Sequence, residues 1–162
     1  MAQLIAGAPA PTFSLIDLDN EVVSLSALRD KPVILNFFHS GCAWCRTELP
    51  KLAEIYARHE DKTPVAIVGI AVGEDTIDNA RQFASDQNLN FPIIVDADRT
   101  LRAAYGLERV PTVVFVDESG LVQRIYEGSS EQLGGIVEQA LLSAARGDEL
   151  PDFALVGNGC AP

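Results

Sequence analysis

Histidine and cysteine are scarce in this chain: two of the first and three of the second in 162 residues. A structural zinc site needs four such ligands, normally as two close pairs. His39 and His59 have no partner at ligand spacing, so no metal and no cofactor is expected. Three cysteines also fail to make a closed disulfide framework. Basic side chains are few, 12 Lys and Arg against 23 Asp and Glu, for a formal net charge of -11. That balance excludes the basic patches that nucleic acids and anionic membrane surfaces recruit. Long hydrophobic runs are missing too. A stretch such as Val110 to Val116 falls far short of the roughly 20 residues that cross a bilayer, so no stable membrane insertion is expected. The first residues, Met1 to Pro9, lack the basic start and long apolar stretch of a secretory leader. The chain therefore belongs in the cytosol or follows a signal or anchor that lies outside it.

What is present is a globular composition, 48% hydrophobic, long enough for one domain with a sizeable core. Phe13 and Leu15, then Val22, Val23 and Leu25, flank a polar group at 17–21. This reads as a β-hairpin turning near Asp19-Asn20, with Ser26 capping a single helical turn after it. Val33 to Phe38 is apolar throughout and reads as a central, covered strand. A helix follows from about Cys42 to His59, kinked near 47–50 by Pro50. Val65 to Val72 is a second buried strand, and Asp75 or Thr76 caps the next helix. Phe91 to Val95 is a short strand that Pro92 demotes to an edge. A short helix at 96–105, a hairpin of Pro111–Val116 with Leu121–Tyr126, and a last helix ending at Gly147 complete the order. The arrangement is α/β, with a parallel core and an antiparallel edge. The expected division is a domain over 1–147, hairpin included, and a wrapping or mobile tail over 148–162.

Cys42-Ala43-Trp44-Cys45 stands where the buried strand hands over to the helix. A helix start carries unpaired N–H groups and a partial positive charge, which favour a thiolate. At i, i+3 spacing both sulfurs can face one way and close a ring. Cys42 lies nearer the open end, and Cys45 is shielded by a turn. One attacking and one resolving sulfur is the asymmetry that disulfide exchange needs.

With these motifs the chain resembles the thioredoxin superfamily, and within it the thiol–disulfide oxidoreductases of the TlpA/ResA/DsbE type, which are related to the AhpC/TSA peroxiredoxins. The likeness rests on Ala8 to Leu15 with Val23 to Leu25, on Leu35 to Phe38 with Cys42 to Cys45 and Glu48 to Pro50, on Val72 to Glu74, and on Tyr105-Gly106 with Val110 to Thr112 and Asp117 to Gly120. It implies a thioredoxin-like fold: a central mixed sheet with helices on both faces, plus an N-terminal β-hairpin. It also implies a redox-active disulfide of Cys42 with Cys45, a cis Pro111 that leaves Val110 free to pair with a substrate peptide, and a catalytic acid at Glu74. The other reading of Glu74 is a solvated turn carboxylate. Trp44 is then a surface aromatic for partners, unless it packs on its own helix. His39 and Arg109 are distant candidates for steadying the thiolate, and His39 is expected to be exposed.

The implied partners are protein disulfides or dithiols and an upstream thiol reductase, the implied state a monomer, and the favoured compartment the periplasm. The implied role is cytochrome-c maturation or general thiol reduction. Two alternatives share the fold. A peroxiredoxin-like thiol peroxidase lacks its Pro and Thr at His39-Ser40-Gly41, and a copper-chaperone-like metal binder lacks a histidine in the second half of the chain. The chain departs from the usual pattern in having Gly41 before Cys42 and Trp44 before Cys45. Cys160 is expected to be a free, incidental thiol, with a third redox cysteine as the other reading.

Overall fold

A computed structural model describes residues 4–151 and 157–162. Two short strands, β1 (Ser14–Ile16) and β2 (Val22–Ser24), pair antiparallel. Their turn is held by Asp17, whose Oδ1 accepts from the Asp19 and Glu21 amides at 2.8 and 2.9 Å. Asn20 takes the positive φ of 64° that such a turn needs. The single turn after β2 is a 3-10 helix, Ser26–Leu28. Ser26 does not cap it as expected; its hydroxyl instead lies 2.9 Å from that of Ser24, a nearer partner.

The main sheet has five strands: β3 (Val33–Phe38), β4 (Ala66–Ala71), β5 (Ile93–Val95), β6 (Thr112–Val116) and β7 (Val122–Glu127), in the order β5-β4-β3-β6-β7. β3, β4 and β5 run parallel; β6 pairs antiparallel with β3, and β7 antiparallel with β6 at the edge. Every residue of β3 is buried, as its unbroken apolar run requires of a central strand. The helices are α1 (Ala43–His59), α2 (Ile77–Asp86), α3 (Thr100–Ala104) and α4 (Leu133–Arg146).

Alternate residues of β3 serve opposite faces. Asn36 meets α1 and α4 around a small cavity, and Phe38 stacks on Phe83 of α2. On the other face Phe37 packs against Tyr105, just past α3, whose hydroxyl reaches the Pro11 carbonyl at 2.7 Å. Helices thus cover both sides of the sheet. α1 continues through Pro50, and its C-terminal end is tied to the middle of α4, where Glu138 accepts from Arg58 and pairs with His59 at 2.9 and 2.7 Å.

The N-terminal segment runs from one edge of the sheet to the other. The Gly7 amide donates to Val122, and the Val122 amide to Ala8, at 2.7 and 2.8 Å. Further on, the Leu18 amide donates to Ile93 of β5 at 3.0 Å. The expected wrapping or mobile tail is in part well placed. Residues 152–156 lie outside the described residues, but Asn158 and Cys160 form antiparallel bridges with Ser129 and Val110.

Candidate active site

The Cys42 backbone is extended (φ −88°, ψ 119°) and occupies the N-cap of α1. Its carbonyl accepts from Arg46, the first intrahelical bond, and its amide donates to the His39 carbonyl at 3.0 Å. The loop before it is fixed by a buried carboxylate from beyond β4. Asp75 accepts from the Ser40 amide at 2.8 Å and from the Ser40 hydroxyl. That occupies Asp75, and the cap of α2 falls to Thr76, which accepts from the Asn79 amide at 3.1 Å. His39 is partly buried rather than exposed. Its Nδ1 accepts from the Gly41 amide at 3.0 Å, and its Nε2 lies 3.9 Å from Asp75.

The disulfide in this structure is not the expected Cys42–Cys45 pair. Cys42 is bonded to Cys160, with S–S 2.07 Å and Cα–Cα 5.9 Å, across 118 residues of sequence. Cys45 is the free thiol, fully buried one turn behind. The physical reason is strand pairing. Cys160 and Val110 exchange two backbone hydrogen bonds of 2.9 Å each, and this sets the Cys160 side chain against the start of α1. Val110 carries the other half of the arrangement: its carbonyl oxygen is 3.8 Å from Cys42 Sγ, and its bond to Pro111 is cis. With Cys160 in place Cys42 is only 2% exposed, so the open attacking sulfur expected from the sequence is covered here by the tail. Cys160 is no incidental free thiol in this state.

Burial pushes the Cys45 thiol up to about 12, and the negative charges of Asp75 and Glu48 push in the same direction against backbone hydrogen bonds that lower it. The expected acid, Glu74, has no part in this. Its side chain is 88% exposed and faces Arg99 at 4.0 Å, because it points outward from the turn that buries its neighbour Asp75. The acids that bear on Cys45 are Asp75 and Glu48. Glu48 lies three residues along α1, on the same face as Cys45. It is 5% exposed, accepts from the Ser129 hydroxyl at 2.7 Å, and has Lys51 at 3.7 Å. The signal was present in the sequence: a carboxylate at i+3 from Cys45, among the apolar positions of its helix. Trp44 is 41% exposed on the first turn. Arg109 reaches the tail, donating from Nη1 to the Gly157 carbonyl at 3.2 Å.

Known proteins resemble this chain in sequence and in fold. The profile of the AhpC/TSA family fits residues 6–125. The chain belongs to that family. Its relatives include the thiol-disulfide oxidoreductase ResA of Geobacillus thermodenitrificans, 36% identical over 76% of this chain and 70% of that protein. Thioredoxin-like protein YneN of Bacillus subtilis is 35% identical over 76% of this chain and 72% of its own length. The crystal structure of a putative thiol:disulfide interchange protein DsbE from Chlorobium tepidum superposes with a TM-score of 0.80 at 27% identity, covering 88% of this chain and 99% of that one. This AhpC/TSA member is accordingly a thiol–disulfide oxidoreductase with a thioredoxin-like fold.

Proposed function

We propose that the protein donates electrons to disulfides in extended segments of other proteins. Cys42 is the attacking sulfur, Cys45 the resolving sulfur, and Val110 with Pro111 the edge on which the peptide pairs. Trp44 is an exposed aromatic contact for the partner. The observation that carries this reading is the cysteine-bearing strand at Val110, hydrogen-bonded through both its N–H and its C=O while its sulfur is joined to Cys42. Addition of a strand to a free edge is a general way of holding a peptide without reading its side chains.

The steps balance without a cofactor. The Cys42 thiolate attacks one sulfur of the substrate; that S–S bond breaks, and the departing thiolate takes a proton. Cys45 loses its proton to Glu48 and attacks Cys42, which releases the second substrate thiol. Two electrons pass to the substrate, Cys42 and Cys45 are left joined, and an upstream thiol reductase restores them. The reading places the protein outside the cytoplasm, as a monomer. No helix among the described residues is long and apolar enough to cross a membrane.

The test uses the reduced protein in stoichiometric amount with insulin and with an oxidised peptide carrying a Cys-X-X-Cys-His haem-attachment sequence. Both gain thiols. Cys42→Ser abolishes the reaction, and Cys45→Ser accumulates a mixed disulfide. Preference for the haem-attachment peptide identifies cytochrome-c maturation, and equal rates identify general thiol reduction. Reduction that persists in Cys42→Ser overturns the proposal.

A further inference from the structure

The tail meets the site as a fitted segment. Asn158 and Ser129 exchange backbone hydrogen bonds of 2.5 and 2.9 Å, Gly157 donates to the Glu127 carbonyl at 3.1 Å, and Cys160 and Val110 form the pair described above. Glycines stand where any side chain would collide. A Cβ at Gly159 would sit 2.7 Å from the Val110 oxygen, and one at Gly157 would sit 2.7 Å from the Ser129 carbonyl carbon. On the receiving side, a Cβ at Gly128 would strike the Gly157 carbonyl. Backbone approach this close is what glycine permits and other residues forbid. Gly157-Asn158-Gly159-Cys160 is thus shaped to lie on Ser129 and Val110 with its sulfur at Cys42.

We propose that Cys160 is a third redox cysteine, carried on a built-in substrate strand, and that the oxidised protein exchanges between a Cys42–Cys160 form and a Cys42–Cys45 form. This deepens the peptide-reduction reading given above and rests on it. The exchange is internal. The Cys45 thiolate attacks Cys42 Sγ; the Cys42–Cys45 bond forms as the Cys42–Cys160 bond breaks, and Cys160 leaves as a thiolate and takes up the proton that Cys45 gave. In reverse, the Cys160 thiolate attacks Cys42. The oxidation level is unchanged, so no outside oxidant or reductant enters. The docked tail fills the Val110 edge, so a protein substrate and Cys160 compete for one place. It also hands the oxidising equivalent to a partly exposed residue, while Cys45 stays buried. The upstream reductase then meets the disulfide at Cys160.

The experiment oxidises the full chain with one equivalent of diamide, quenches in acid, alkylates the remaining thiol and maps it by peptide mass spectrometry. Wild type is expected to carry label mainly on Cys45 with a smaller share on Cys160. Gly159→Val keeps all three cysteines and leaves the core untouched; it is expected to move the label to Cys160. Label on Cys160 alone in wild type overturns the proposal, as does label that stays on Cys45 in Gly159→Val. Label on Cys45 alone, with none on Cys160 even after incubation at mildly alkaline pH, makes the bond a static one and overturns it as well. Insulin reduction by the wild-type protein is measured alongside. If that fails, the reductase reading falls by itself, while the label pattern still decides the fate of the tail.

Discussion

Ser129 donates its hydroxyl to Glu48 across 2.7 Å, while the backbone of the same residue holds Asn158. One residue therefore links the buried acid of α1 to the docked tail. Ser129→Ala leaves the backbone pairing intact and strips Glu48 of a charge-assisted hydrogen bond. The expected loss of stability is about 1.5–3 kcal/mol, read as a lower midpoint in denaturant unfolding with an unchanged slope.

Glu48 and Asp75 both add negative charge around Cys45. Glu48→Gln and Asp75→Asn each remove one charge with little change of shape. In either variant the Cys45 pKa is expected to fall from its value of about 12, yet stay above the ordinary 9.0, because burial is the larger cause. Ultraviolet thiolate absorbance during a pH titration reads the shift. An unmoved titration would remove both carboxylates from the account.

The same raised pKa gives a pH dependence of definite sign. The folded protein holds the Cys45 proton more tightly than the unfolded chain. The stability this confers is fully present below the ordinary value of 9.0 and is lost as pH climbs toward about 12. Exchange by Cys45 follows its thiolate fraction, so the rate is expected to rise about tenfold per pH unit through the neutral and mildly alkaline range. Stopped alkylation at several pH values checks it. A rate that levels off near pH 9 would contradict the burial of that thiol.

A protein that reduces disulfides in its partners, as proposed here, belongs at the reducing end of the scale. The Cys42–Cys45 couple, isolated in Cys160→Ser, is expected to equilibrate with glutathione or dithiothreitol near the thioredoxin value of about −270 mV, well below the DsbA value of about −120 mV. A potential at the upper figure would reverse the proposed direction of electron flow.

Gly69 sits inside β4, where a Cβ would lie 3.0 Å from a Phe91 ring carbon and 3.1 Å from Ile93. Gly69→Ala therefore crowds the contact between β4 and β5. A cost of about 1–3 kcal/mol is expected in thermal or denaturant unfolding.

Local pattern made much of this legible. The apolar run at 33–38, the helical stripe after Cys42 and the turn chemistry at Asp19-Asn20 and Gly147 mark elements that the structure contains. Short-range spacing failed where partners are far apart in sequence. The pairing of Cys42 with Cys160 spans 118 residues. No helix or strand period announces it, because the tail docks through backbone groups that every residue shares. Its visible trace was glycine on either side of Asn158, which without the fold reads as a loop. Glu74 and Asp75 are neighbours on one turn, and only the three-dimensional course of that turn decides that Asp75 faces Ser40 while Glu74 faces solvent. The spacing of Glu48 from Cys45 is local, but its buried hydrogen-bond partner, Ser129, lies 81 residues on.

The segment before β1 reaches Val122 at one flank of the sheet and, just past β1, Ile93 at the other. It works as a belt. Backbone groups that would invite a foreign strand at either margin are already engaged there. On the proposed reading, the edge left for a visiting polypeptide is the one beside Pro111, which the tail occupies here. Loosening the belt would thus be expected to cost the enzyme its solitude before its chemistry: chains joined margin to margin, each with a working dithiol.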